Sequence, residues 1–247
     1  FCFLLVLVWV KVFLNEDGVP LICGDRYPNT ILTQLGFMLQ RQFRLLIRSP
    51  TPKTKFGRSI FLAILLGSMF FQLDNQQTAA LNRFGLIFIS LSAIAMGSSG
   101  VIPELFSQRR VFYLQHTAGY FHSIAFHATL FLIELLMSTF EMFLYSFILY
   151  IMSGLSNGVI SEKFLYFWLS LVVFNMVCWS VSTIGVFGLP TQGMAQSCVQ
   201  LLNAMMLLFS GYLIAWDQIP AGWSWMYDVS TISRPFRALS VNEMKGS

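Results

Sequence analysis

"HSIAFHATLFLIELLMSTFEMFLYSFILYIM", residues 122–152, is an apolar run broken by only two carboxylates, Glu134 and Glu141. A helix rises about 1.5 Å per residue, so roughly 20 apolar residues cross a hydrocarbon core of about 30 Å. This run has length to spare. It lacks the strict alternation of a barrel strand, and every backbone amide inside lipid must pair within its own segment, so the run predicts a helix. Working outward, four more lipid-length runs occur, at 56–73, 84–102, 163–187 and 194–215. The expected fold is an all-α membrane protein, a polytopic helical bundle with five spans.

Composition agrees. Hydrophobic residues make up 56% of the 247 residues and charged residues 11%, whereas a soluble domain carries about a quarter charged; mean hydropathy is +0.67. The net charge of +4 reads as topology signals and lipid-headgroup contacts rather than as nucleic-acid binding. Cys2, Cys23, Cys178 and Cys198 have no metal spacing, and the last two sit in apolar segments. No N-x-Ser/Thr sequon occurs. The chain starts at Phe1, which fits a fragment of a longer product.

Residues 1–28 form an unassigned unit. An apolar stretch interrupted by Lys11 fits a truncated span, a signal-like core or an interfacial segment equally, and a turn-rich linker follows it. Residues 29–50 predict an amphipathic helix on a surface. Ile31, Leu35, Met38, Leu39 and Leu46 recur on one side, Gln34, Arg41, Arg44 and Arg48 fall on the other, and "SPTP" at 49–52 ends it. Residues 51–215 hold the spans. The aromatic tail 216–247, with Trp216, Trp223, Trp225 and Tyr227, predicts an outer interfacial or re-entrant segment leading toward a sixth span.

Basic residues set the orientation. Lys53, Lys55 and Arg58 lie at the start of the first span and Arg109 and Arg110 follow the second, whereas "DNQQTAALN" between those spans has none. The amino end, the 103–121 loop and "GLPTQG" at 188–193 are therefore expected in the cytosol, with 153–162 and the tail outside. Lys163, at the outer end of the fourth span, is a snorkelling exception.

Within the third span His127, Glu134 and Glu141 are spaced by sevens, so they share one helical stripe with Ser138 and Tyr145 near the same face. A mid-bilayer charge costs a few kcal/mol even on insertion scales, so the stripe must face the bundle interior or water. A proton or substrate path is one reading. A packing clasp, each carboxyl held by a neighbouring helix, is the other. "GSSG" at 97–100 raises a rhomboid-like intramembrane serine hydrolase with Ser99 as nucleophile and His127 as base, although small residues near a helix end more often serve close packing. No metal motif occurs, and without G-x-x-x-x-G-K-S/T the sequence given has no P-loop for ATP.

The order of amphipathic helix, two spans, "RRVFYLQHTAGYFHS" at 109–123, a third span with "YSFILYIMSGL", and then "FSGYLI", "IP" and "RPFRAL..NEM" resembles the membrane (permease) domain of G-subfamily ABC transporters, the white and pleiotropic-drug-resistance group, over about residues 27–246. The resemblance implies an exporter of amphipathic, lipid-like or drug-like compounds by alternating access, in the plasma membrane or an organelle. It implies no cofactor in these residues, ATP and Mg on a nucleotide-binding domain, a second membrane domain as homodimer or pseudodimer partner, lipid around the bundle and no nucleic acid. By match, Arg41, Arg44 and Arg48 on a connecting helix and Glu104, Arg109, Arg110 and Tyr113 on a coupling segment would meet the ATPase domain. Ile94, Met96, Gly97, Gln200, Asn203 and Ala204 would line the substrate cavity, and Tyr212 and Leu213 would form its plug. Two departures stand out: Leu136 replaces the family's proline and Gly97 an often aromatic position. A truncated, inert permease fragment is the remaining alternative.

Overall fold

The computed structural model describes residues 30–71, 77–154, 162–214 and 218–244, which are helices joined by short turns with no strand among them. Helix α1 spans Ile31–Arg48, and α2, Thr51–Met69, follows at once. Pro50 caps α2 and Pro52 lies in its first turn, where a missing N–H costs nothing.

Helix α3 (Gln77–Gly97) passes through a 3₁₀ turn at Ser98–Val101 into α4 (Ile102–Thr117). The segment 103–121, expected as a loop, is thus mostly helix, and Leu81–Thr117 forms one helical path of 37 residues. The local chemistry explains the tightening. Ser98 and Ser99 hydroxyls donate back to the carbonyls of Ala95 and Met96, and Pro103 removes one amide just beyond. α4 stops at Gly119, whose φ of 75° suits glycine, with Tyr120 N donating to Gln115 O at 3.1 Å across the turn.

Helix α5, Ser123–Ser153, runs 31 residues without a break, Leu136 included. α6 (Glu162–Gly188) and α7 (Gln192–Leu208) follow, and the tail folds back as α8 (Ser224–Val229) and α9 (Ser233–Met244), the latter packing on α3 and α6. Of the described helices, three paths are long and apolar enough to cross a membrane: Leu81–Thr117, α5 and α6. α2 and α7, expected as spans, are helices of 19 and 17 residues. The segment expected at 1–28 lies outside the described residues.

Neighbour pairs fix the directions. Lys55 meets Glu134, Ser59 meets Glu141, and a Cβ on Gly67 would sit 2.8 Å from Met152 Cβ, so α2 and α5 run parallel. Asn203 and Gln200 reach Ala95 and Ser99, so α7 runs antiparallel to α3. One core cluster joins Leu66, Leu86, Leu91, Tyr145, Phe167 and Ile232; a second, at the α4 end, joins Met38, Ile102, Phe112, Phe126, Trp179 and Val186. Outward, α5 exposes Leu132, Leu136, Phe140, Phe143, Phe147 and Ile151, and α6 exposes Leu165, Leu169, Val173 and Val177. The bundle thus keeps its buried polar side chains inside, among apolar core residues, and turns apolar faces outward, as a helix pack in hydrocarbon requires.

Helix α1 corrects one expectation. Its buried residues are Gln34, Met38 and Gln42, while Leu32, Phe37, Phe43 and Ile47 are exposed. The amides are buried because each has a partner: Gln34 Oε1 accepts from His122 N at 2.8 Å, and Gln42 Nε2 donates to Gln108 Oε1 at 2.9 Å. The apolar face is left to whatever covers it, and hydrocarbon does so without stranding a polar group.

Candidate functional site

α1, α4 and the α6–α7 turn meet at one end of the bundle. Arg109 is central there. Its Nη1 donates to the carbonyls of Val186 and Leu189, both at 2.5 Å, so the guanidinium closes the carboxyl end of α6, whose last carbonyls have no helical amide to receive. Phe106 and Tyr113 flank it, their ring centroids 5.2 and 5.5 Å from Cζ. Arg109 therefore ties α4 to the end of α6 and the α6–α7 turn within this chain. Arg110, Arg44 and Arg48 are exposed, as is Tyr113, while Arg41 Nη1 donates to Gln115 Oε1 at 3.1 Å and Glu104 accepts from Gln108.

Beneath Arg109 lies a ring cluster. Phe112 sits 4.6 Å from Phe126, 5.7 Å from His127 and 6.1 Å from Phe187, so α4, α5 and α6 share one aromatic contact. His127 belongs to this cluster. The heptad stripe divides here: His127 packs among rings, and the two carboxylates turn to α2.

Lys55 Nζ stands 2.6 Å from Glu134 Oε1, both side chains about 15% exposed. Ser59 Oγ donates to Glu141 Oε1 at 2.5 Å. Farther along, Asn175 Nδ2 donates to Ser138 Oγ and Tyr145 shares a hydroxyl contact with Ser90, each at 2.8 Å. Each polar group thus meets a different helix, which satisfies it where water is scarce. Lys55 and Ser59, four residues apart on α2, match Glu134 and Glu141, seven apart on the parallel α5.

The expected cavity residues fall on both sides of the α3–α7 contact. Ile94 is buried in the chain's own core, Asn203 is buried with its Nδ2 on Ala95 O at 2.9 Å, and Ala204 is half-buried. Met96 and Gln200 are exposed. Gly97 lies under the Arg58 guanidinium, which donates to the Gly97 carbonyl at 2.8 Å and stands 3.2 Å from where a Cβ would be. Tyr212 stacks on Phe88 at 4.5 Å and meets Phe236 edge-on while staying partly open to the surroundings, and Leu213 is exposed.

Ser99 and His127 are not brought together. The Ser99 hydroxyl donates to Met96 O and receives Gln200 at 3.4 Å, while His127 is ringed by Phe112, Phe126 and Phe187. Neither hydrogen-bonds the other among the described residues, so no nucleophile–base pair forms. Among those residues, no three His, Cys, Asp or Glu side chains gather to hold a metal either.

Sequence reasoning missed Lys55 as an interior partner of Glu134 and Arg58 as a partner of the Gly97 carbonyl, because cations ahead of a span read first as topology signals. Asn175 and Asn203, polar residues within apolar runs, carried a signal of their own.

The ABC-2 type transporter family model matches residues 33–244. Among curated proteins, the chain is 33% identical to ABC transporter G family member 2 of Dictyostelium discoideum over 222 residues, covering 90% of this chain and 17% of that protein. It is 30% identical to G family member 3 of the same organism, covering 90% of this chain and 16% of that protein, and 28% identical to member 5, covering 94% and 15%. The chain thus spans about a sixth of the length of these relatives.

Proposed function

We propose, on the premise that this chain belongs to the ABC-2 type transporter family as a G-subfamily membrane domain, that it is the passive permease part of an ATP-driven exporter of amphipathic compounds. The chain is an integral membrane transporter domain. ATP and Mg would be held by a nucleotide-binding domain, with a second membrane domain facing this one and the plasma membrane as the expected site. The exposed Arg44, Arg48, Arg110 and Tyr113 would receive the motor domain.

The observation that carries this reading is the Arg109 bridge from α4 to Val186 and Leu189. A displacement of α4 by a docked motor would be carried to the α6–α7 turn through two charge-assisted hydrogen bonds, and through the Phe112 cluster to α5 and α6. Alternating access would then follow from a rigid-body shift of α6 and α7.

The test uses the full transporter. Arg109→Gln removes the charge and the Nη1 that holds both carbonyls. ATP hydrolysis should persist while export of an amphipathic dye falls at least about tenfold, each such factor being 1.4 kcal/mol of coupling. Equal loss of both would mean that Arg109 only holds the fold, and unchanged transport would remove the coupling role.

A further inference from the structure

A cavity of about 670 Å³ opens between the carboxyl end of α1, the start of α2, the first turns of α4 and the middle of α5. That volume suits a small amphiphile or a lipid head with its first methylenes. It lies apart from the α3–α7 face where Gln200 and Met96 are exposed.

Its walls are sorted by chemistry. Leu130, Ile133 and Met137 of α5 give an apolar side, and Phe56 and Trp179 add aromatic faces. The polar side carries three carboxylates, Glu104, Glu134 and Glu141, against two cations, Arg48 and Lys55. Lys55 is committed to Glu134 at 2.6 Å. Arg48 is exposed. Glu141, 4% exposed, receives only the Ser59 hydroxyl, and Glu104 receives only Gln108, itself held by Gln42. Two braced carboxylates thus face the cavity without an ion-pair partner among the described residues.

We propose that this cavity binds the alkylammonium head of an amphiphile, with Glu104 and Glu141 supplying countercharge, Trp179 and Phe56 receiving the N-alkyl groups on their faces, and the α5 wall taking the first methylenes. An ammonium bearing alkyl groups gains from carboxylate and aromatic ring together, whereas an anion would meet the acid excess. The head could come from a choline lipid of the bilayer or from a dissolved cationic amphiphile. The assignment does not depend on the coupling role of Arg109.

The experiment uses the full transporter in nanodiscs and a photoreactive diazirine analogue of decyltrimethylammonium as probe, with cross-linked peptides located by mass spectrometry. Saturable labelling of the peptides around Phe56 and Trp179 is expected, suppressed by excess decyltrimethylammonium and not by decyl maltoside. Glu104→Gln should raise the half-saturating concentration about tenfold, and Phe56→Leu about threefold. Glu141→Gln should behave like Glu104→Gln; if it fails to fold, Glu104→Gln, whose side-chain hydrogen bond to Gln108 stays within α4, still decides. Discs of a neutral glycolipid are compared with discs of phosphatidylcholine. Weaker labelling in phosphatidylcholine identifies a bilayer lipid as occupant, and equal labelling a dissolved amphiphile. Labelling elsewhere, competition by decyl maltoside, or an unchanged response in a folded Glu104→Gln protein would overturn the assignment.

Discussion

Lys55 on α2 and Glu134 on α5 meet at 2.6 Å in the interior of the bundle, the one ion pair among the described residues. Because α2 and α5 run parallel, this pair and the Ser59–Glu141 bond set their register by side chains rather than by a connecting turn. Removing one partner should cost more than removing both. Lys55→Met leaves a carboxylate uncompensated and should destabilise by on the order of 2 kcal/mol, less than a fully buried pair because both side chains keep some exposure. Glu134→Gln should cost less, since an amide still accepts from Lys55. Lys55→Met with Glu134→Leu should recover most of the loss, read as a double-mutant cycle of thermal melts in detergent. Strict additivity would mean that the pair contributes no coupling.

Gly67 is a point of close approach. A Cβ there would lie 2.8 Å from Met152 Cβ and 2.9 Å from its sulfur. Gly67→Val should force α2 from α5 and destabilise by about 1–3 kcal/mol. Gly57, on the same helix with nothing within 4 Å of a built Cβ, is the control: Gly57→Ala should be neutral or stabilising by up to about 1 kcal/mol through helix propensity. Equal melting shifts for both would contradict the α2–α5 contact.

Phe112 joins four rings from three other segments and is 6% exposed. Phe112→Ala should cost about 3–5 kcal/mol. Phe112→Leu, which keeps volume but loses the ring edge, should cost roughly 1 kcal/mol. Melting temperatures of the two variants give the comparison, and a negligible effect of alanine would show the cluster to be loose.

Arg109 acts through geometry as well as charge. Arg109→Lys keeps the cation but loses the planar guanidinium that Phe106 and Tyr113 flank and that brings Nη1 to both carbonyls. It should therefore transport less than wild type and more than Arg109→Gln, with hydrolysis kept in both. Full rescue by lysine would reduce the role of Arg109 to a point charge near the carboxyl end of α6.

Tyr145 is buried, 1% exposed, with its hydroxyl on Ser90. Tyr145→Phe leaves Ser90 without this hydrogen-bond partner and should cost about 1 kcal/mol. The ring stays in the core, so a much larger drop in melting temperature would point to a role beyond this hydrogen bond.

The sequence by itself determined that this chain is a helical membrane protein and where its long helices run, because hydrocarbon length and backbone satisfaction act on each segment separately. The α5 run predicted as 122–152 is observed as 123–153, and the loop motif around Gly119 marks the turn that ends α4. The family was legible for the same reason, since its motifs are contiguous. What tertiary structure alone decided is pairing. Periodicity placed His127, Glu134 and Glu141 on one stripe, yet the neighbours of that stripe change along its length, from rings to Lys55 to Ser59. Likewise Arg109, a plain charge in sequence, became a cap only because α6 ends within its reach. Local rules see one helix at a time, and partners are chosen where two helices cross.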